Sequence, residues 1–312
     1  MDQTVQAKSQ DNMSPEELRQ AVSSFVSGYS IEATTHDLDK VQDFPDFIPA
    51  GTCVYIAHVP GAARSDLVSM AERLLEKGYE PVPHIVARRL QGPDELDQAL
   101  AAVQKVGVEH VLVIAGDLPE PEGQFEGAMD VLNCGLLEKH GIRTLGVSGH
   151  PEGNANIPDE VLEKALDDKA GYAASTSLDV HIVTQFGFDT AAMPRWEAET
   201  TARGITLPIH VGMAGPTSLK RLINMGVRCG IGASMRMLTK RAGDVANMLK
   251  VTGPDKQIVA CARHASGHPD TRMVRTHFFA LGGVEKTARW ANAVVDGRFT
   301  LNADGTGFTV DV

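Results

Sequence analysis

The chain has 312 residues, 43% of them hydrophobic and 22% charged, and a formal net charge of −11. That length and balance fit a globular protein built as one large barrel of alternating strands and helices, and no apolar run approaches the roughly 18 residues a membrane span requires. The acidic charge argues against nucleic acid or an anionic membrane as the main partner, since either favours a basic face, and leaves a small molecule.

In chain order, the polar start "MDQTVQAKSQDN" is expected to fray. "SPEELRQAVSSFV" then carries Ser14 as N-cap, Pro15 at the first helical position and Glu17 to close a capping box. Short apolar runs follow at 29–35, 52–59, 80–87, 110–116, 143–149, 179–186, 207–213 and 274–281. Between them lie amphipathic stretches such as "SDLVSMAERLLEKG", stopped by Gly78, and "PTSLKRLINMG", stopped by Gly226. Buried strands separated by helices imply a parallel sheet, and eight such units imply a closed (β/α)8 TIM barrel. An open doubly wound sheet is the rival, disfavoured because no G-x-G-x-x-G follows the first strand. A further helix is expected in "SMRMLTKRAGDVANMLKV" (234–251), and "RFTLNADGTGFTV" reads as a hairpin turning at Asp304 and Gly305. The expected division is residues 1–27 as polar segment and outer helix, 28–297 as the barrel, and 298–312 as the C-terminal hairpin tail.

The four cysteines, Cys53, Cys134, Cys229 and Cys261, form no CxxC and follow no secretory leader, so reduced thiols in a cytoplasmic protein are expected. Nothing in the sequence fixes oligomeric order, and a homo-oligomer is compatible with it.

Barrels of this type place their chemistry at the C-terminal ends of the strands. The first run carries Glu32, followed by Thr34, Thr35 and His36. The second ends with His58, the third with His84 followed by Arg88 and Arg89, the fourth with Asp117, the fifth leads to His150, and the sixth carries Gln185. No metal triad stands out. Each residue alone has a plain structural reading: an internal ion-pair partner for Glu32, backbone-bonded histidines, a turn residue at Asp117. Strand alternation would send at least one of the adjacent Arg88 and Arg89 to solvent. Taken together, the two carboxylates and the amide converge on one barrel mouth and imply a site.

Several stretches carry a resemblance: Glu32 on the first strand, "PHIVA" (83–87), "GDLP" (116–119), "HPEG" (150–153), "VTQFGFD" (183–189) and "VGMAGPTSLKRL". On these, over roughly residues 28–300, the chain resembles the methylenetetrahydrofolate reductase family, which reduces 5,10-methylenetetrahydrofolate to 5-methyltetrahydrofolate. The resemblance implies Glu32 as the general acid that protonates N10. It implies Asp117 and Gln185 as holders of the pterin, with Leu219 and Lys220 in the substrate segment, Leu219 replacing the family's aromatic ring. It implies NADH or NADPH as hydride donor, and a cofactor environment of His58, His84, Arg88, Arg89 and His150. Most members bind FAD, but the arginine and lysine that meet its diphosphate are matched here by Ala115 and Ala174, and the tyrosine before "HPE" by the small residues of "LGVSG". "HIVARRL" resembles the flavin-independent branch, while Arg88 and Arg89, with Arg64, offer a substitute phosphate site. Two alternatives remain at this stage: another folate-dependent barrel enzyme such as a methyltransferase, and a non-catalytic folate-binding protein.

Overall fold

The structure, a computed structural model, describes residues 13–59, 61–231 and 248–310. Eight parallel strands close into a barrel: β1 (Ser30–Thr34), β2 (Cys53–Ala57), β3 (Glu80–Val86), β4 (His110–Ile114), β5 (Thr144–Gly149), β6 (Asp179–Thr184), β7 (Ile209–Ala214) and β8 (Met273–Phe279). Each strand hydrogen-bonds to the next in chain order, and β8 closes onto β1 through Ser30↔His277 and Ile31↔Phe278. All eight expected runs are therefore strands of the (β/α)8 barrel.

Alternation along each strand splits the core in two. Ile31, Val54, Ile56, Val111, Val113, Leu145 and Ile182 face outward and join the large apolar layer between strands and helices. Their neighbours Cys53, Tyr55, Val82, Leu112 and Val183 face inward as a separate small cluster. The outer layer carries the hydrophobic burial, which leaves the interior free to hold polar groups.

The N-terminal helix Pro15–Val26 begins at the capping box expected for it, with the Glu17 amide donating to Ser14 Oγ (3.2 Å) and the Ser14 amide to Glu17 Oε2 (2.9 Å). It buries Leu18, Val22 and Val26 and packs against helices Asp255–Gly267 and Val284–Val295. Gly78 ends its helix as expected, at φ +78°. Gly226 does not: the helix Leu219–Arg228 runs through it, and the reversal falls at Gly230, φ +70°. Gly226 is buried inside that helix. The expected helix at 234–251 lies outside the described residues as far as 247. Its last residue, Val251, pairs instead in a two-residue antiparallel strand, Val251–Thr252 with Thr217–Ser218. The polar start likewise falls outside the described residues up to 12. The tail forms the hairpin Phe299–Leu301 with Phe308–Val310, turning at Gly305, φ +63°. Among the described residues no helix is long and apolar enough to cross a membrane.

Candidate active site

A cavity of about 1470 Å³ opens at the C-terminal mouth of the barrel, and Glu32, His58, His84, Arg88, Arg89, Asp117, His150 and Gln185 all line it. Leu219 and Lys220 do not. Leu219 opens a helix whose N-cap Ser218 accepts from the Arg221 amide, and that helix turns Met225, Arg228 and Cys229 to the cavity instead.

Glu32 points inward from β1 with its side chain 19% exposed. No side chain or backbone group among the described residues hydrogen-bonds it, and burial pushes its carboxyl up to about 8. His84 Nε2 lies 3.7 Å from its Oε2, beyond hydrogen-bond length. That nitrogen is itself buried without a partner. Burial, reinforced by His58, pulls the His84 imidazole down to about 3, so it is uncharged.

Asp117 follows Gly116, whose φ of +101° and contact with Val86 (2.6 Å from an ideal Cβ) admit no side chain. That turn delivers the exposed Asp117 carboxylate to the mouth. Gln185, also in the lining, has its amide held by a hydrogen bond from Nε2 to the Cys229 carbonyl (2.8 Å).

Neither Arg88 nor Arg89 is fully exposed, contrary to the alternation argument. The strand ends at Val86, and the single 3-10 turn Ala87–Arg89 abandons the two-residue period. Both side chains then reach the segment after β4: Arg88 donates to the carbonyls of Leu118 (2.7 Å) and Glu126 (2.8 Å), and Arg89 bridges Asp117 (3.2 Å) and Glu122 (3.3 Å). Arg64 pairs with Glu95 and does not line the cavity.

A buried lysine lies five residues before Ala174. Ala174 is an exposed helix C-cap, whereas Lys169 is buried on the cavity wall and donates to the Ser148 carbonyl (2.8 Å) and Oγ (3.0 Å). Burial pulls its amine down to about 8. Burial and Lys169 together pull His150 down to about 4. The lysine's placement was readable: Leu162, Leu166, Lys169 and Ala173 recur at helical spacing, so it sits on the inner face. A further residue that sequence reasoning passed over is Glu152 of "HPEG". Its Oε1 accepts from the amides of Phe188 (2.5 Å) and Asp189 (2.7 Å), tying that motif to the "QFGFD" loop. Phe186 and Phe279, 5.4 Å apart, give the cavity an aromatic wall.

Below the mouth the barrel is polar. Tyr55 Oη lies 3.0 Å from His181 Nε2 and 3.4 Å from His210 Nδ1, and Ser30 Oγ lies 3.0 Å from His277 Nδ1. At the far end, ligand-type atoms of Cys53, Glu80 and His110 lie within 4.8 Å of one another. They are hydrogen-bonded together: Cys53 Sγ to Glu80 (2.9 Å), His110 Nδ1 to Glu80 (2.6 Å), with Arg275 donating to the sulfur (3.0 Å). Burial pushes the thiol up to about 12, and the adjacent guanidinium opposes a second cation, so this cluster acts as a polar plug.

The sequence profile of the family described as methylenetetrahydrofolate reductase matches residues 52–285. Among curated relatives, methylenetetrahydrofolate reductase (NADH) 1 of Arabidopsis thaliana is 26% identical over 152 residues, which span 44% of this chain and 25% of that protein. The chain thus aligns with about a quarter of that relative's length. Among solved structures, dihydropteroate synthase (FolP) from Thermus thermophilus superposes with a TM-score of 0.44 at 14% identity, covering 86% of this chain and 93% of that one.

Proposed function

The chain belongs to the methylenetetrahydrofolate reductase family, and on that premise we propose that it reduces 5,10-methylenetetrahydrofolate to 5-methyltetrahydrofolate with NADH or NADPH, using residues 28–297 as the catalytic barrel. The observation that carries this reading is Glu32: a carboxyl that burial holds protonated near neutral pH, lining the same cavity as Asp117 and Gln185. Asp117 accepts from the adjacent ring N–H and exocyclic amine of the pterin, and the Gln185 oxygen accepts beside it. Glu32 gives its proton to N10, the five-membered ring opens, and an iminium forms between N5 and the one-carbon unit. Hydride addition to that carbon leaves the N5 methyl group.

A flavin diphosphate is poorly matched by the residues present. Ala115 stands at the family's arginine position. The basic side chains Arg88, Arg89 and Lys169 already donate to Leu118 and Glu126, to Asp117 and Glu122, and to Ser148. Drawing a doubly charged group out of water needs donors that are free to meet it. A nicotinamide dinucleotide binds only in passing, and its diphosphate has the rim, where the exposed Arg228 lines the cavity. The cavity volume of about 1470 Å³ exceeds the roughly 300–1,000 Å³ of a site for one drug-sized ligand, which suits two substrates held together for direct hydride transfer.

The test is oxidation of NADH or NADPH by the purified protein, with and without methylenetetrahydrofolate, beside its visible spectrum. Folate-dependent oxidation by colourless protein is expected. No oxidation with either nucleotide overturns the reductase reading, and stoichiometric flavin that bleaches with the nucleotide overturns direct transfer. A folate methyltransferase or a passive folate binder would have no use for a protonated Glu32.

A further inference from the structure

We propose that His84 is the positioning residue of the proton donor: its Nε2 is the acceptor to which the Glu32 carboxyl O–H turns in the resting enzyme. This rests on the reading of Glu32 as the N10 proton donor and assigns His84 to that acid rather than to a cofactor.

The geometry follows from the barrel's register. Glu32 on β1 pairs with Tyr55 on β2, and Thr34 with Ala57. Pro83 of β3 pairs with Ile56, which puts His84 level with Ala57. Ala57, the residue of β2 level with His84, contributes only a methyl group, and Glu32 Oε2 and His84 Nε2 approach to 3.7 Å. The two polar groups have no other hydrogen-bond partner among the described residues: His84 Nε2 is closed to solvent and orphaned, and the carboxyl oxygen 3.7 Å away is likewise unbonded. A buried orphan nitrogen calls for a partner, and a small rotation of the carboxyl closes the gap. Catalytic hydrogen bonds often tighten only in the Michaelis or transition-state complex.

The arrangement needs the Nδ1–H tautomer of His84, so that Nε2 carries the lone pair. An acceptor stabilises the protonated acid, whereas a lone pair facing a carboxylate does not stabilise the charged form. His84 thereby keeps the proton on Glu32 until N10 arrives. The surroundings do not compete. His58 follows β2 and has its imidazole pulled down by burial and Arg89, while His277 of β8 is pulled down to about 3 by burial and His84. Tyr55 is pushed well up by burial, and the Cys229 thiol is pushed up to about 11 by burial and Glu32. Asp117, 57% exposed, is paired with Arg89, and Gln185 is uncharged.

The experiment replaces His84 with Asn, whose amide N–H can donate to a carboxylate and so favours the charged form. The alkaline limb of kcat/KM, set near pH 8 by Glu32 in the unaltered protein, is expected to move down by at least one unit. Activity lost at pH 7.5 should return at pH 6, with the folate KM unchanged. His84→Leu, which removes the acceptor and keeps the burial, should move the limb the same way by less. Glu32 is titrated independently by NMR of protein labelled with 13C-glutamate, its signal assigned by Glu32→Gln, so the shift is read even in an inactive variant. A limb and a titration that stay in place in folded His84→Asn overturn the proposal, as does a raised nucleotide KM with the limb unmoved. If Glu32→Gln keeps its turnover, the proton-donor reading fails, separately from whether His84 governs the Glu32 titration.

Discussion

Replacing Glu32 with Gln should stabilise the protein while removing its activity. The carboxyl moves from 4.5 to about 8 on folding. Between those pH values the folded state holds a proton that the unfolded chain releases, so stability is full below pH 4.5 and is lost as pH rises through 8. Each unit is worth about 1.4 kcal/mol, which makes the loss about 3 kcal/mol by pH 7 and about 5 kcal/mol above pH 8. Gln keeps the shape and does not titrate. Urea unfolding of both proteins from pH 4.5 to 9 should show their stabilities diverging by about these amounts, in favour of the variant. Over the same series, reductase turnover should fall by about 10²- to 10⁴-fold, the usual worth of a general acid. Stability curves that run parallel would show that Glu32 is not held protonated by the fold. Turnover within tenfold of the unaltered protein would show that its proton is not used.

Asp117→Ala should weaken folate binding by about 10- to 100-fold, the worth of a charge-assisted hydrogen bond, with kcat at saturating folate little changed; equilibrium titration separates this from a loss of turnover. Initial rates over a grid of nucleotide and folate concentrations should give intersecting lines, because direct transfer needs both substrates bound, whereas parallel lines would mean the nucleotide leaves before folate enters. Glu197→Ala should lower stability by about 3–5 kcal/mol, read from the urea midpoint. Glu197 is buried and accepts from His264 (2.7 Å) and Thr271 (2.8 Å) and from the Arg272 amide, tying a helix to the entry of β8. A loss below about 1 kcal/mol would mean those donors find other partners.

The barrel was legible because each strand is a short apolar run bounded by turn residues, a signal confined to a few neighbouring positions. Glu32, Asp117 and Gln185 were legible for the same reason, since a polar residue at the end of such a run is out of place unless it faces the mouth. What failed depended on local departures from regular geometry. Arg88 and Arg89 were read on strand alternation, and one 3-10 turn breaks it. Gly226 was read as a stop, although glycine inside a helix serves close packing equally well. Lys169 escapes a gapless count from the following motif, although the helix's own apolar period places it on the inner face. The Cys53–Glu80–His110 plug was illegible, because its members come from the starts of separate strands that only barrel closure brings together.

The placement of the cations and the state of Glu32 answer to one physical requirement. A cation within about 4–6 Å of a carboxyl lowers its pKa by roughly 1–3 units, which would leave Glu32 largely ionised at neutral pH and useless as a donor. Burial raises the Glu32 pKa, and no cation opposes the rise. Arg88, Arg89 and Lys169 all line the same cavity, yet each is anchored by carbonyl, hydroxyl or carboxylate partners of its own. His84, 3.7 Å from the acid, is an imidazole that burial keeps neutral. Under the proposed function, a nucleotide whose phosphates stay at the rim leaves these anchored cations where they are.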